Sequence, residues 1–128
     1  MFEGKLVHKE LSCKIVWVMF NVFRQIGAGH PEKVYQKAIS NSFLKLGIGF
    51  KEQIPCDLIC DGLKVGRYYF DFLVEDKIVV EIKRNYRLRD RDYQQIKGYL
   101  SALNLDLGLL VLFNYEGASC KRVLNIYR

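Results

Sequence analysis

The sequence predicts an α/β (α+β) fold: a mixed sheet of four to five strands flanked by helices. Three observations predict it. Apolar residues recur at helical intervals through the first third of the chain. Three strand-like runs follow between residues 50 and 83, separated by turn signals. A second helical stripe at 92–103 then leads into Leu107–Phe113, where nearly every position is apolar.

The first helix is expected over Leu6–Ile26, with Leu11, Ile15, Val18, Met19, Val22, Phe23 and Ile26 on its apolar side. Gly27-Ala28-Gly29 ends it, and Pro31 at a first helical position opens a second helix that runs to Gly47. The two helices form a hairpin-like pair. Phe50–Cys60, the Asp61-Gly62 turn, Lys64–Val74, a loop at Glu75-Asp76-Lys77 and Lys77–Lys83 read as an antiparallel three-strand meander. Pro55 suits an edge strand because it cannot donate to a ladder. Asp92–Leu103 carries Tyr93, Ile96, Tyr99, Leu100 and Leu103 on one helical stripe, interrupted by Gly98. Leu107–Phe113 is a strand covered on both faces, and Lys121–Tyr127 is available as a last edge strand. A helix between strands three and four makes a crossover, so these strands should run parallel, joined in the right-handed sense.

At 128 residues and 15.0 kDa the chain suffices for one compact domain, 1–128. No apolar run approaches the roughly 20 residues of a membrane span, and the start, Met1-Phe2-Glu3-Gly4-Lys5, lacks a signal-peptide pattern. A cytoplasmic protein without a membrane partner is the expectation. Cys13, Cys56, Cys60 and Cys120 show no Cys-x-x-Cys spacing, and with only two histidines a zinc site has no signature. Cys56 and Cys60 share a strand face but stand about 13 Å apart, so reduced thiols are expected. The net charge of +6 favours a polyanionic partner.

The charged residues inside the strand runs need a reason. Glu81 and Lys83 alternate with Val80 and Ile82 and so share a face. With Glu75-Asp76-Lys77 as the loop, Val74 pairs with Ile78 and Asp71 falls opposite Glu81. Two carboxylates and a lysine would then converge. Buried carboxylates repel each other unless a cation or a shared proton compensates, which makes a divalent metal the natural third partner.

An αβββαβ core with Asp71 on its second strand and Glu81-Ile82-Lys83 on its third resembles the PD-(D/E)xK nuclease superfamily, whose fold is restriction-endonuclease-like. Gly29-His30-Pro31-Glu32-Lys33-Val34-Tyr35 is similar to the pattern of the GxxExxY family, a branch of that superfamily of similar length and element order. Leu107–Asn114 and Lys121-Arg122 resemble that family's C-terminal strand and basic end. Gln95-Ile96-Lys97-Gly98-Tyr99 is similar to the Gln-x-x-x-Tyr helix of exonuclease-like members, in which both side chains face the active site. Two positions depart from the pattern: Phe23 stands before Arg24 where relatives often carry histidine, and Phe70-Asp71 replaces the Pro-Asp pair. Neither removes a metal ligand.

The resemblance implies a metal-dependent nuclease acting on DNA. Asp71 and Glu81 would hold Mg²⁺ or Mn²⁺ together with the backbone carbonyl of Ile82, and Glu32 resembles the superfamily's additional acidic ligand. Lys83 would orient or deprotonate the attacking water, and Gln95 and Tyr99 would position water or phosphate. Arg84, Arg87, Arg89, Arg91 and Lys97 follow the lysine closely and suit a phosphate-binding rim, with Tyr86 and Tyr93 interleaved for stacking on an unpaired base. A small nuclease reaching both strands of a duplex would need a second subunit, so a homodimer is a further expectation.

Plainer alternatives stand beside these roles. Asp71 could pair with Arg67 or Lys64, and Glu81 with Lys83 could form a surface ion pair on an edge strand. Glu32 suits a first helical turn through the helix dipole alone. Tyr35 and Tyr99 could be core tyrosines, Gln95 a cap or bridge, the basic run a solvated face, His8 and His30 surface or capping residues, and Trp17 a core or helix-interface residue. The alternative function is a catalytically silent nuclease-fold module that binds nucleic acid or a protein partner.

Overall fold

A computed structural model describes residues 7–125. Leu6, which the sequence places in the first helix, and Ile126 and Tyr127, which it places in the last strand, lie outside them. The elements are α1 (Lys9–Ile26), α2 (Glu32–Leu46), β1 (Phe50–Cys60), β2 (Leu63–Val74), β3 (Ile78–Lys83), α3 (Asp90–Leu103), β4 (Leu107–Asn114) and β5 (Gly117–Leu124). The sheet order is β1-β2-β3-β4-β5. β3 and β4 are parallel, as the crossover through α3 requires, and the other neighbours are antiparallel.

Element ends moved where local chemistry outweighed periodicity. Pro31 is the N-cap of α2, one step before the first helical position. α3 begins at Asp90 because Arg89, extended, closes its first turn by accepting the Asp92 N–H at 2.9 Å. β5 starts at Gly117, four residues before Lys121, and pairs Gly117 with Asn114 across a tight turn. Asp61-Gly62 forms the turn expected of it, with both residues left-handed. Glu75 and Asp76 are left-handed too, although neither is glycine; Glu75 is tied to Gly49 through both its backbone N–H and its carboxylate. Lys77 belongs to this turn, its N–H donating to Val74 O at 2.9 Å, and Val74 pairs with Ile78 as the loop length implies.

Each face of the sheet has its own core. α1 and α2 cover one with Ile15, Met19, Ile39 and Phe43 against Phe72, Val80 and Leu109. α3 covers the other with Ile96, Tyr99 and Leu100 against Phe70, Val79 and Leu110. A β-carbon on Gly108 of β4 would fall 2.6 Å from Ile96 Cδ1, so glycine lets α3 lie directly on the strand. β1 is an edge strand and accommodates Pro55. Of the core and helix-interface positions expected for Trp17, the core one does not hold: the residue is 54% exposed and borders a surface hollow with Lys14, Leu46 and Ile48. Cys56 and Cys60 do not share a setting either, because the register shifts between Leu58 and Ile59; Cys56 is buried, Cys60 is exposed, and both are free thiols.

The feature that positions the site is a break at Asp71. Residues two apart on a strand share a face, yet Phe70 packs on Tyr99 of α3 while Phe72 packs on Phe43 of α2. On the neighbouring strand Gln53 is left-handed, and the β1–β2 pairing passes from Glu52↔Phe72 to Ile54↔Phe70. The β2–β3 ladder runs from Val74↔Ile78 only to Phe72↔Val80. Beyond that pair the backbones no longer bond to each other.

Candidate active site

Where the β2–β3 ladder stops, two carboxylates take over the backbone groups it leaves behind. The Asp71 N–H donates to Glu81 Oε1 at 2.6 Å, and the Ile82 N–H donates to Asp71 Oδ2 at 2.7 Å. Each acid is thus anchored to the other's strand, which holds both side chains in the gap. Asp71 is 4% exposed and Glu81 5%, so the pair is buried as well as crossed. The remaining oxygens meet side chains: Gln36 Nε2 of α2 donates to Asp71 Oδ1 at 3.0 Å, and Lys83 Nζ lies 3.6 Å from Glu81 Oε2.

Burial pushes both carboxyls well above the usual carboxylate range. For Asp71 the charges of Glu81 and Glu32 add to this and the Ile82 N–H opposes it. For Glu81 the Asp71 N–H and Lys83 oppose the rise and Glu32 adds to it. The two groups titrate as a coupled pair, and a cation placed between them would compete with a proton.

Lys83 leaves the end of β3 toward three acceptors. Its Nζ donates to Gln95 Oε1 at 3.1 Å and lies 3.6 Å from Glu81 and 3.8 Å from Asp92. Asp92 is held there because its Oδ2 accepts the Arg89 N–H at 2.9 Å while Oδ1 faces the lysine. Glu32 enters from the first turn of α2 and shares with Asp71, Glu81, Ile82 and Lys83 a polar hollow of about 330 Å³. The predicted residues Asp71, Glu81, Lys83, Gln95, Glu32 and Ile82 therefore meet at one place.

Tyr99 lies just behind it. The tyrosine is buried against Phe70, its hydroxyl has no hydrogen-bond partner among the described residues, and burial followed by the charge of Glu81 pushes its pKa up. Tyr35 is structural instead, donating to Gly27 O at 2.7 Å beneath the α1–α2 turn. His30 is a cap: its Nε2 contacts Ile26 O at 2.6 Å. The plainer pairing of Asp71 with Arg67 or Lys64 does not occur, since those cations sit 2.6 and 3.7 Å from Asp57. Nor is Glu81–Lys83 on an edge, because β3 lies between β2 and β4.

The basic rim divides. Arg84 borders the hollow and donates to His30 O at 2.9 Å, and Arg91 borders the neighbouring cavity. Arg87, Arg89 and Lys97 are exposed and line neither. Sequence reasoning missed Gln36 and Asp92. Gln36 stands one turn after Glu32, and Asp92 three residues before Gln95; both spacings put them on the site-facing side of their helices, which was the available signal.

Among the described residues no three His, Cys, Asp or Glu side chains form a ready-made metal cage. The donor set nevertheless fits a hard divalent ion. Mg²⁺ is held by one or two carboxylates with water completing its octahedron, and the buried carboxyls of Asp71 and Glu81 border one hollow with Glu32 and Ile82.

Among the described residues no helix is long and apolar enough to cross a membrane. No curated protein matches the chain. Two solved structures share the fold. One, the crystal structure of SSO0001, is 15% identical with a TM-score of 0.56, covering 91% of this chain and 57% of its own. The other is an alkaline exonuclease from Laribacter hongkongensis, 13% identical with a TM-score of 0.51, covering 97% of this chain and 72% of its own. The chain thus spans little more than half the length of the first. These neighbours and the mixed five-stranded sheet make the fold restriction-endonuclease-like. Residues 9–123 match the family description of the PD-(D/E)XK nuclease superfamily, and with nearly the whole chain covered, the protein belongs to that superfamily.

Proposed function

We propose that the protein is a metal-dependent nuclease of the GxxExxY branch, hydrolysing phosphodiester bonds in DNA with Mg²⁺ or Mn²⁺. The observation that carries this reading is the crossed anchoring of Asp71 and Glu81 with Lys83 Nζ 3.6 Å away. In it Asp71, Glu81 and the Ile82 carbonyl hold the ion, with Glu32 closing the hollow from α2. The ion, when bound, supplies positive charge for a non-bridging phosphate oxygen and lowers the pKa of water.

The chain's own residues do the rest. Lys83 Nζ, aimed by Gln95 and Asp92, would orient the attacking water or take its proton, and would balance the negative charge that develops on the phosphorane. Gln95 keeps the lysine head at the hollow. Tyr99 closes the wall behind Glu81 and excludes water from the carboxylate pair. Arg84 and Arg91 receive flanking phosphates, with Arg87, Arg89 and Lys97 contributing longer-range attraction. The rest of the proposal is a single domain over 1–128, action in the cytoplasm, and a homodimer if a duplex is cut on both strands.

The test is a panel of labelled single-stranded, duplex and branched DNA and RNA with Mg²⁺ or Mn²⁺. Wild type yields products, whereas Asp71→Asn and Lys83→Ala, folded by circular dichroism, yield none. Absence of cleavage from every substrate with both metals sinks the proposal. One observation favours a second reading, a silent nuclease-fold binding module: Gln36, two backbone N–H groups and Lys83 already attend all four carboxylate oxygens. Salt-sensitive binding that persists in chelator, without products, selects it.

A further inference from the structure

Beside the carboxylate hollow lies a second, larger cavity of about 700 Å³ between the β1–β2 hairpin and α3. The two share Lys83, Asn85 and Gln95, so they are adjoining chambers of one cleft. Their linings differ. The hollow is walled mainly by acids and cations, whereas the larger chamber adds Cys56, Leu58, Tyr68 and Tyr99 as walls to the charged groups of Lys83, Arg91 and Asp92. Gln94 and Arg91 stand at its border, exposed.

Two details show room for a flat group. Gly98 lies mid-way along α3, where glycine weakens a helix by about 1 kcal/mol relative to alanine. A β-carbon there would meet nothing within 4 Å, so the missing side chain widens the chamber without serving the helix packing. Tyr68, on the opposite wall, keeps about half of its surface exposed although it borders a concave site. An aromatic ring left open, amides able to read a base edge and a cation at the rim match the chemistry of an unstacked nucleoside. The volume also falls in the range of about 300–1,000 Å³ typical of small-molecule sites.

We infer that this chamber seats one unstacked nucleoside of the substrate strand next to the phosphate held at Asp71 and Glu81, so that the enzyme acts on single-stranded or frayed nucleic acid. The inference rests on the nuclease reading and adds the substrate class to it. A base stacked in an intact duplex cannot enter a pocket walled on both sides, whereas an unpaired one can.

The experiment measures binding in chelator, without turnover, by fluorescence anisotropy of a labelled oligonucleotide about 12 nucleotides long, in single-stranded and blunt-hairpin forms. Deoxy and ribo series run in parallel; tighter single-strand binding in either supports the seat and identifies the sugar. Wild type should prefer the single strand by about tenfold. Gly98→Leu, which fills the chamber with a better helix former, should remove that preference while hairpin affinity stays unchanged. Tyr68→Ala, at a half-exposed position, is the second variant should the first not fold, and thermal melts report folding for both. Equal wild-type affinity for the two forms overturns the inference, as does a folded variant that keeps full single-strand affinity. Failure of the nuclease reading looks different: a single-strand preference that responds to Gly98→Leu, with no products from any substrate on adding Mg²⁺ or Mn²⁺.

Discussion

β2 and β3 face each other in two unlike halves. From Val74↔Ile78 to Phe72↔Val80 they are joined by a backbone ladder between apolar residues, and the seam is a core. One residue further on, at Asp71 and Glu81, carboxylates replace the carbonyls as acceptors. The lower half spends its backbone donors on pairing, whereas the upper half gives them to the acids and so fixes two buried charges in register. A strand pair can thus be scaffold and site at once, with the boundary set by where its ladder ends.

The sharpest way to break the comparison is to remove charge from the upper half alone. Asp71→Asn or Lys83→Ala should lower metal-dependent cleavage on the order of a thousandfold or more, with the melting transition retained. Phe72→Ala in the lower half should act oppositely, destabilising the fold by about 3–5 kcal/mol in chemical denaturation because a fully buried ring is lost. If both substitutions damage stability equally, the two halves are not separate.

A pH titration of stability sharpens it further. Both carboxyl pKa values are raised in the folded protein, so between the usual carboxylate range near pH 4 and neutrality the native state binds more protons than the unfolded one. In chelator, stability contributed by the site should therefore be present at low pH and decline as pH rises through this window. Mg²⁺ should raise the melting temperature near pH 8 and do little near pH 5, where protons occupy the acids. A metal-free melting temperature that climbs across the window contradicts the buried-acid assignment. The smallest effect belongs to Gln36→Ala, which removes one donor from Asp71: about 1 kcal/mol in stability, and a loss of Mg²⁺ affinity within about tenfold by calorimetry.

Much of this was legible beforehand, and the illegible part has a common cause. Turn chemistry at Asp61-Gly62 and the loop at 75–77 set strand register, so Asp71 and Glu81 could be brought side by side by counting residues. Gln36 and Asp92 could not be counted to, because they arrive from helices whose placement depends on packing. Trp17 shows the converse: its position among apolar residues of α1 suggests a core or helix-interface role, but the ring stays half exposed at a surface hollow beside Leu46 and Ile48. The left-handed Gln53, which coincides with the break in β2 alternation, carries no signal in its residue type.

Order of elements, the parallel run of β3 with β4 and the meeting of two acids with a lysine follow from periodicity and loop length, which are local properties of the chain. Which oxygen accepts which N–H, how Lys83 is shared among Glu81, Asp92 and Gln95, and the open chamber beside Gly98 were decided only when helices from distant parts of the chain closed over a kinked strand pair. Side-chain convergence depends on the angles at which elements pack, and a single chain read in one dimension holds no record of them.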